Sequence, residues 1–244
     1  MICRDMDERQ QGEAIPLRGS PGPGGMGSRD GVWARLGDLQ GRKALRIGLV
    51  SDTHVFPTAP GLPPPVLAAL EGVDVILHAG DIYDLTVLDE LEQVAPVLAA
   101  RGNGDGLLPE DPRLAERHLF TLGGLRVGLV HYFPFPEFSL ERAFKLSLGA
   151  EVDIVVCGDT HVPMVARDGG VLIVNPGSPT YPFNLQRQLG TLGILNVADG
   201  LTTASILQLG DSSNLRLFLR SAFPGPQAAH LVDVTHLAAD SAES

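Results

Sequence analysis

Short apolar runs alternate with helix-like stretches along the chain between residues 44 and 158. Runs rich in Val, Ile, Leu and Ala predict buried strands at Ala44–Ser51, Val73–Ala79, Ala95–Arg101, Leu125–Val130 and Ile154–Gly158. Helical spacing of apolar positions predicts helices at Pro64–Leu70, Leu85–Gln93 and Leu140–Leu148. Buried strands that alternate with helices are typical of the α/β class.

Beyond Asp159 the helical spacing stops and β-like segments follow one another. They lie at Met164–Asp168, Val171–Asn175, Gly190–Val197 and Thr202–Leu209. The Asp168-Gly-Gly170 turn predicts a hairpin between the first two. We expect this half to form a second sheet packed on the first, which gives successive layers of helix, sheet, sheet and helix.

Both ends of the chain lack this patterning. Residues 1–43 hold nine Gly and three Pro, which predicts a flexible leader. The apolar pattern also thins near Leu215, and residues 221–244 are predicted to form a loosely packed tail with a short helix near 230–239. The remaining residues, 44–220, are enough for one domain.

Charge and cysteine usage restrict the environment and the partners. The 244 residues carry a formal net charge of −11 and two cysteines, Cys3 and Cys157, too few for a disulfide framework. No apolar run approaches the roughly 20 residues that span a bilayer, and Met1 to Gln11 lacks the apolar stretch of a secretory signal. We therefore expect a cytoplasmic protein without membrane contact. The net negative charge argues against binding of long nucleic acid but permits a small anionic substrate. A homo-oligomer is also compatible with the sequence.

Metal-competent side chains follow each of the five predicted strands of the first half. They lie in Asp52-Thr-His54, Gly80-Asp81, Gly102-Asn103-Gly-Asp105, His131 and Gly158-Asp159-Thr-His161. Ligands in open α/β sheets bind outside the carboxyl ends of the strands, so these residues are expected to converge. Residues i and i+2 of an extended chain point the same way, which predicts that Asp52 with His54, and Asp159 with His161, each aim two ligand atoms at one ion.

Mixed carboxylate, imidazole and amide ligands suit Mn²⁺, Fe, Zn²⁺, Ni²⁺ or Co²⁺ better than Mg²⁺ or Ca²⁺. A single ion takes roughly four to six ligands. Two ions fit better than one, with Asp81 as the bridge, and the candidates are Asp52, His54, Asp81, Asn103, His131, Asp159 and His161.

This order of motifs, with the later Asn175-Pro-Gly-Ser178, resembles the calcineurin-like metallophosphoesterase superfamily, in particular its small bacterial and archaeal phosphodiesterase branch related to the retromer subunit Vps29. The resemblance covers about residues 45–209. It implies a four-layer α/β/β/α sandwich of two mixed sheets flanked by helices. It also implies a phosphoesterase, more specifically a phosphodiesterase, in which a hydroxide bridging two divalent ions attacks phosphorus in line. We take Mn²⁺ as the first choice of metal and a small phosphoester as the substrate.

The resemblance also assigns roles to individual residues. It places Asp52, His54, Asp81 and His161 at the first metal, and Asp81, Asn103 and His131 at the second. Asp81, Asn103 and His131 are then the catalytic set. Asn103, Asn175 and Ser178 are expected at the substrate, and Arg187 could reach a phosphate.

Two positions depart from the family pattern. The family normally has Gly-His-x-His where this chain has Gly158-Asp159-Thr-His161, so a carboxylate replaces an imidazole of the second metal. Many relatives carry a histidine directly after the residue that matches Asn103, and here that residue is Gly104. No side chain in the motifs is then an evident general acid for the leaving group. These departures support an alternative function, a Vps29-like interaction scaffold with weak or no catalysis.

Ordinary structural roles compete for other residues. We expect His78 to be a hydrogen-bonded core histidine, His118 to be at the surface and Cys157 to be a buried inert thiol. Asp105 fits either an anchor for a neighbouring ligand or a turn. The aromatic run Tyr132–Phe138 fits either a lid over the pocket or simple packing.

Overall fold

A computed structural model describes residues 37–39, 41–182 and 189–210 of the chain. The predicted leader (apart from residues 37–39 and 41–43) and the predicted tail lie outside these residues, so both remain predictions. The described residues form eleven strands. In chain order they are β1 (Ala44–Val50), β2 (Val75–His78), β3 (Val97–Ala100), β4 (Leu114–Ala115), β5 (Arg117–Leu122), β6 (Leu125–Val130), β7 (Ile154–Val156), β8 (Met164–Asp168), β9 (Val171–Asn175), β10 (Thr191–Ala198) and β11 (Leu201–Gln208).

The strands form two mixed sheets. The six-stranded sheet has the order β11-β10-β1-β2-β3-β4, in which β1 to β4 are parallel and β10 and β11 are antiparallel to their neighbours. The five-stranded sheet has the order β5-β6-β7-β9-β8, with β6, β7 and β9 parallel. Parallel strands at the centre of each sheet end at the same edge, which is where the candidate ligands follow them.

Helices cover the outer faces of both sheets. Helices α1 (Pro64–Ala69) and α2 (Thr86–Glu92) bury Val66, Val87 and Leu91 against the six-stranded sheet. Helix α3 (Leu140–Ser147) begins after the cap residue Ser139 and packs on the five-stranded sheet. Alternate side chains of the two sheets interdigitate between them, as β-strand geometry requires. The predicted α/β/β/α layers are therefore confirmed.

The division of strands between the sheets differs from the expectation. The second half of the chain does not form the second sheet by itself, because β10 and β11 join the first sheet beside β1. Conversely, β6 and β7 from the first half belong to the second sheet. A continuous apolar run shows that a strand is buried on both faces, but it carries no information about its neighbour.

Strand β5 was not expected from the pattern. Its residues alternate between exposed and buried, and His118 is one of the buried residues, with Nε2 2.8 Å from the carbonyl oxygen of Ala99. The expectation that His118 lies at the surface is therefore wrong. A buried histidine beside an exposed leucine, Leu119, hides the period-two alternation that identifies a half-buried strand.

No helix among the described residues is long and apolar enough to cross a membrane.

Candidate metal centre

The loops that follow β1, β2, β3, β6 and β7 bring all seven predicted ligand side chains to one place. Three of these strands belong to the six-stranded sheet and two to the five-stranded sheet, so the site lies between the carboxyl ends of both. The convergence fits the general rule for ligand sites in α/β sheets, here applied across two packed sheets.

Four of the seven side chains form a compact group. One ligand atom from each lies within 4.8 Å of the others, and the four are Asp52, His54, Asp81 and His161. Nε2 of His54 lies 3.1 Å from Nε2 of His161 and 3.4 Å from Oδ2 of Asp81. Oδ1 of Asp52 lies 3.4 Å from Nε2 of His161. Two carboxylates and two imidazoles at these separations are a suitable ligand set for one divalent transition-metal ion.

A second group surrounds His131. Its Nε2 lies 3.0 Å from Oδ1 of Asn103, 3.5 Å from Oδ1 of Asp159 and 3.6 Å from Oδ1 of Asp81. Asp81 therefore presents Oδ2 to His54 and Oδ1 to His131. One carboxylate faces both groups with different oxygens, which is the geometry of a bridging ligand.

Backbone carbonyls fix the orientation of two of the imidazoles. Nδ1 of His131 lies 2.7 Å from the carbonyl oxygen of Ala79, and Nδ1 of His161 lies 3.0 Å from that of Tyr181. A carbonyl oxygen can only accept, so each Nδ1 donates to its carbonyl, and Nε2 is the ring nitrogen that faces the site. Metal-binding histidines are commonly oriented in this way.

The buried carboxylate of Asp52 indicates whether a cation fits the first group. Asp52 is 0% exposed, and its Oδ2 accepts a hydrogen bond from the backbone N–H of Asp159. Its Oδ1 has no hydrogen-bond partner among the described residues. A buried carboxylate oxygen without a partner is costly unless a cation or proton meets it. The donor set of the first group supplies the rest of a coordination shell, so the residues fit a divalent metal.

Charge interactions within the site shift several pKa values. Burial raises the pKa of Asp52, but the nearby imidazoles of His161 and His54 outweigh it and hold that pKa below its usual range. Burial lowers the pKa of His161, and the Asp52 carboxylate outweighs it, so the pKa of His161 is raised. Burial raises the pKa of Asp81. Burial and the carboxylate of Asp81 also raise the pKa of Tyr83, whose hydroxyl stays protonated.

The backbone of the ligand loops differs from the extended chain that was assumed. Asp52, His54, Asp159 and His161 all have positive φ, between 45° and 72°. Asp52 and His54 do reach the same group, but His161 lies in that first group and Asp159 in the second, so the expectation that this pair aims at one ion is wrong. Non-glycine residues with positive φ cost about 1–3 kcal/mol each and persist only where the surroundings hold them. Backbone hydrogen bonds from Asp52 N to Gly80 O (2.8 Å) and from His54 N to Asp81 O (3.0 Å) supply part of that support.

Asp105 anchors the Asp81 loop, which settles its role. Its Oδ2 accepts hydrogen bonds from the backbone N–H groups of Asp81 (2.9 Å) and Gly102 (2.8 Å). Its Oδ1 accepts from those of Ile82 and Tyr83, each at 2.9 Å. Asp105 is 0% exposed, so it supports the ligand Asp81 from behind and does not face the pocket.

His78 is a hydrogen-bonded core histidine, as expected. Its Nδ1 accepts from the backbone N–H of Gly80, so Nε2 carries the proton and donates to Oγ1 of Thr53 at 3.1 Å. Burial lowers the pKa of His78 to about 4, which keeps the ring neutral. Cys157 is buried too, and burial raises the pKa of its thiol to about 12, in agreement with an inert thiol.

Two residues expected at the substrate lie behind the site. Nδ2 of Asn175 donates to the carbonyl oxygen of Gly158 (2.8 Å) and to Oγ1 of Thr160 (3.0 Å). Oγ of Ser178 donates to the carbonyl oxygen of Asp52 at 2.7 Å. Asn175 and Ser178 are 2% and 0% exposed, so they brace the ligand loops and do not line the pocket. The expectation of substrate contact is corrected for both, and Arg187 lies outside the described residues.

A pocket of about 570 Å³ opens over the site. Sequence reasoning missed half of its lining, which consists of Thr53, Phe56, Tyr83, Thr180 and Tyr181. The aromatic run Tyr132–Phe138 does not contribute, because Phe133 packs on Phe144 with ring centroids 5.6 Å apart. Phe133 therefore has the packing role, whereas Tyr132 is exposed. Among the described residues, the pocket lining contains no Lys or Arg.

Comparison with known proteins agrees with this geometry. A family model for the calcineurin-like phosphoesterase superfamily domain matches residues 45–200. A protein of Methanothermobacter thermautotrophicus named as a probable metallophosphoesterase is 38% identical over 139 residues, which cover 56% of this chain and 78% of the relative. A protein of Methanocaldococcus jannaschii named as a phosphodiesterase is 28% identical over 149 residues, which cover 54% of this chain and 83% of the relative.

Solved structures share the fold. A structure described as a novel archaeal phosphodiesterase superposes with a TM-score of 0.51 at 27% identity and covers 67% of this chain and 100% of its own. Vacuolar protein sorting 29 of Cryptosporidium parvum gives a TM-score of 0.51 at 21% identity and covers 70% and 100%, which is a likeness of fold alone.

Proposed function

The chain belongs to the calcineurin-like phosphoesterase superfamily, and we propose that it is a metal-dependent phosphodiesterase whose two divalent ions share Asp81. The observation that carries the proposal is the placement of Asp81 between two ligand groups, one oxygen toward His54 and the other toward His131. Asp52, His54 and His161 complete the first group, and Asn103, His131 and Asp159 complete the second.

The chain's own residues supply geometry and charge. Two ions held by these residues would lower the pKa of water and would offset the charge that develops on a phosphoryl group. Histidines oriented through Nδ1 and carboxylates anchored by backbone N–H groups hold the ligand atoms in place before substrate arrives. The imidazole and carboxylate donors suit Mn²⁺ first, with Fe, Ni, Zn and Co as alternatives.

Charge in the pocket favours diesters over monoesters. Asp52, Asp81 and Asp159 place three carboxylates at the site, and the described lining provides no Lys or Arg to offset them. A phosphodiester carries one negative charge, whereas a monoester near neutral pH carries nearly two. Two divalent ions would leave about one net positive charge beside the three carboxylates, which the single charge of a diester neutralises, whereas the second charge of a monoester would meet no Lys or Arg of the described lining. The diester preference agrees with the name of the Methanocaldococcus relative.

A metal and substrate series tests the function. Protein stripped with chelator and reloaded with Mn²⁺ is expected to hydrolyse bis(4-nitrophenyl) phosphate, and faster than 4-nitrophenyl phosphate at equal concentration. Metal analysis of the same samples is expected to give two ions per chain. Failure to hydrolyse either ester with Mn²⁺, Fe²⁺, Zn²⁺, Ni²⁺ or Co²⁺ would contradict the proposal. It would favour the alternative function, an interaction scaffold with weak or no catalysis.

Substitutions at Asp159 test the second ion. Oδ1 of Asp159 lies 3.5 Å from Nε2 of His131, so we expect Asp159→Ala to bind one ion fewer and to lose activity by at least about 10-fold. Asp159→His is expected to retain two ions and to shift the metal preference from Mn²⁺ toward Zn²⁺ and Ni²⁺. Metal content and diesterase rate are measured for each ion. Equal metal content in wild type and Asp159→Ala would remove Asp159 from the ligand set.

A further inference from the structure

Tyr83 is held at the pocket by its backbone and by both neighbouring rings. It follows Asp81 by two residues, its φ is 72°, and its backbone N–H donates to Oδ1 of Asp105 at 2.9 Å. Its ring centroid lies 4.5 Å from that of His54 and 5.0 Å from that of Phe56. A non-glycine residue in the left-handed region, fixed by a buried carboxylate, has little freedom to move its side chain elsewhere.

The absence of a side chain at Gly104 makes room for this ring. A Cβ built at position 104 would overlap Cε1 of Tyr83 and would lie 2.7 Å from Cζ, the carbon that bears the hydroxyl. The backbone N–H of Gly104 donates to Oδ1 of Asp81 at 2.8 Å. The hydroxyl end of Tyr83 therefore stands beside the turn that contacts Asp81, next to Asn103.

The hydroxyl of Tyr83 is available for a ligand. Tyr83 lines the pocket and is half-buried, and no group among the described residues makes a hydrogen bond with its hydroxyl. The other groups near the metal ligands are mostly carboxylates and imidazole lone pairs, which accept hydrogen bonds. Oγ1 of Thr53, a further hydroxyl of the lining, accepts from His78 and donates to the carbonyl oxygen of Asp81 at 3.5 Å. A phosphoryl oxygen needs donors, and Tyr83 supplies one.

We propose that Tyr83 is a substrate-positioning residue, whose hydroxyl donates a hydrogen bond to the phosphoryl group of the bound ester. The proposal rests on the proposed function, because it requires a phosphoester at the metal centre. The proposal also explains why residue 104 is glycine, because any side chain there would displace the Tyr83 ring that carries the hydroxyl donor.

Tyr83→Phe removes the hydroxyl and leaves the ring. We expect KM for bis(4-nitrophenyl) phosphate and the inhibition constant of inorganic phosphate to rise together by about 10-fold or more, the usual effect of losing a hydrogen bond to a charged group. The change in kcat is expected to be smaller, and metal content is expected to stay at the wild-type value. Tyr132→Phe is the matched control, because Tyr132 is 54% exposed and outside the pocket lining.

A double-mutant cycle with Gly104→Ala tests the position of the hydroxyl. The added methyl group is expected to push the Tyr83 ring aside and to raise both constants by a similar factor. Tyr83→Phe in the Gly104→Ala background is then expected to have little further effect, because the hydroxyl has already been displaced. Multiplicative effects of the two substitutions would contradict the proposal.

The outcomes separate this proposal from the proposed function. An active wild type with unchanged KM and phosphate inhibition in Tyr83→Phe would overturn the role of Tyr83 alone. Loss of metal in Tyr83→Phe would also overturn it, since the residue would then support the ligands. A wild type that hydrolyses no phosphoester with any metal would overturn the proposed function and this proposal with it.

Discussion

Substitution of Asp81 by asparagine is expected to reduce hydrolysis of bis(4-nitrophenyl) phosphate by at least about 10³-fold, more than the loss of a single transition-state donor. Asn offers one oxygen and no charge, whereas the carboxylate presents Oδ2 to His54 and Oδ1 to His131. One substitution therefore weakens both metal groups. Initial rates in the presence of saturating Mn²⁺ and metal analysis after gel filtration measure the effect.

Thermal unfolding provides a second measurement for Asp81→Asn. Metal that binds only the folded chain raises the melting temperature with concentration, so Mn²⁺ is expected to stabilise the wild type and to have much less effect on the variant. Asp168→Asn is the matched control, because Asp168 is exposed at the β8–β9 hairpin and outside the pocket lining. An Asp81→Asn variant that keeps two ions and wild-type activity would contradict the bridging arrangement.

The convergence of the candidate ligands could be predicted because strand ends are visible in the sequence. Asp52, Asp81 and Asn103 follow apolar runs of the first sheet, and His131 and Asp159 follow runs of the second. The rule that ligands gather at the carboxyl ends of parallel strands needs only those runs. It does not need the order of the strands, which explains why the convergence of these side chains was predicted although four strands were assigned to the wrong sheet.

Contacts that depend on the backbone conformation of a loop could not be predicted from the strand ends. Asn175 is the last residue of β9 and Ser178 stands in the loop that follows, where the sequence permits them to face either the pocket or the interior. The structure turns both inward, where they hold the backbone of Gly158 and Asp52. Tyr83 is the opposite case, a residue that lines the pocket although the sequence does not predict it. A single tyrosine after Asp81 carries no periodic signal, and its position depends on a left-handed φ that the sequence does not specify.

Asp105 connects the fold to the site, and its substitution tests that connection. Asp105→Ala would leave the buried backbone N–H groups of Asp81, Ile82, Tyr83 and Gly102 without their acceptor. Since each unpaired buried donor costs about 1–3 kcal/mol and part of the loop can relax, we expect the free energy of unfolding to fall by about 3–5 kcal/mol. Urea unfolding of metal-free protein measures the change, and metal affinity is expected to fall by about 10- to 100-fold.

A second variant, Asp105→Asn, makes the test specific. Asparagine keeps the shape of the aspartate side chain but has one acceptor oxygen where aspartate has two. Each carboxylate oxygen of Asp105 accepts two backbone N–H groups, so Asp105→Asn must point its own NH₂ at one of these pairs. We therefore expect Asp105→Asn to be nearly as destabilising as Asp105→Ala. Asp199→Asn is the matched control, since Asp199 also has a positive φ (49°) but is exposed in the β10–β11 turn, and asparagine adopts that conformation readily. Wild-type stability and metal affinity in Asp105→Asn would show that the four backbone groups do not depend on the carboxylate, and that the loop holds Asp81 in place by other means.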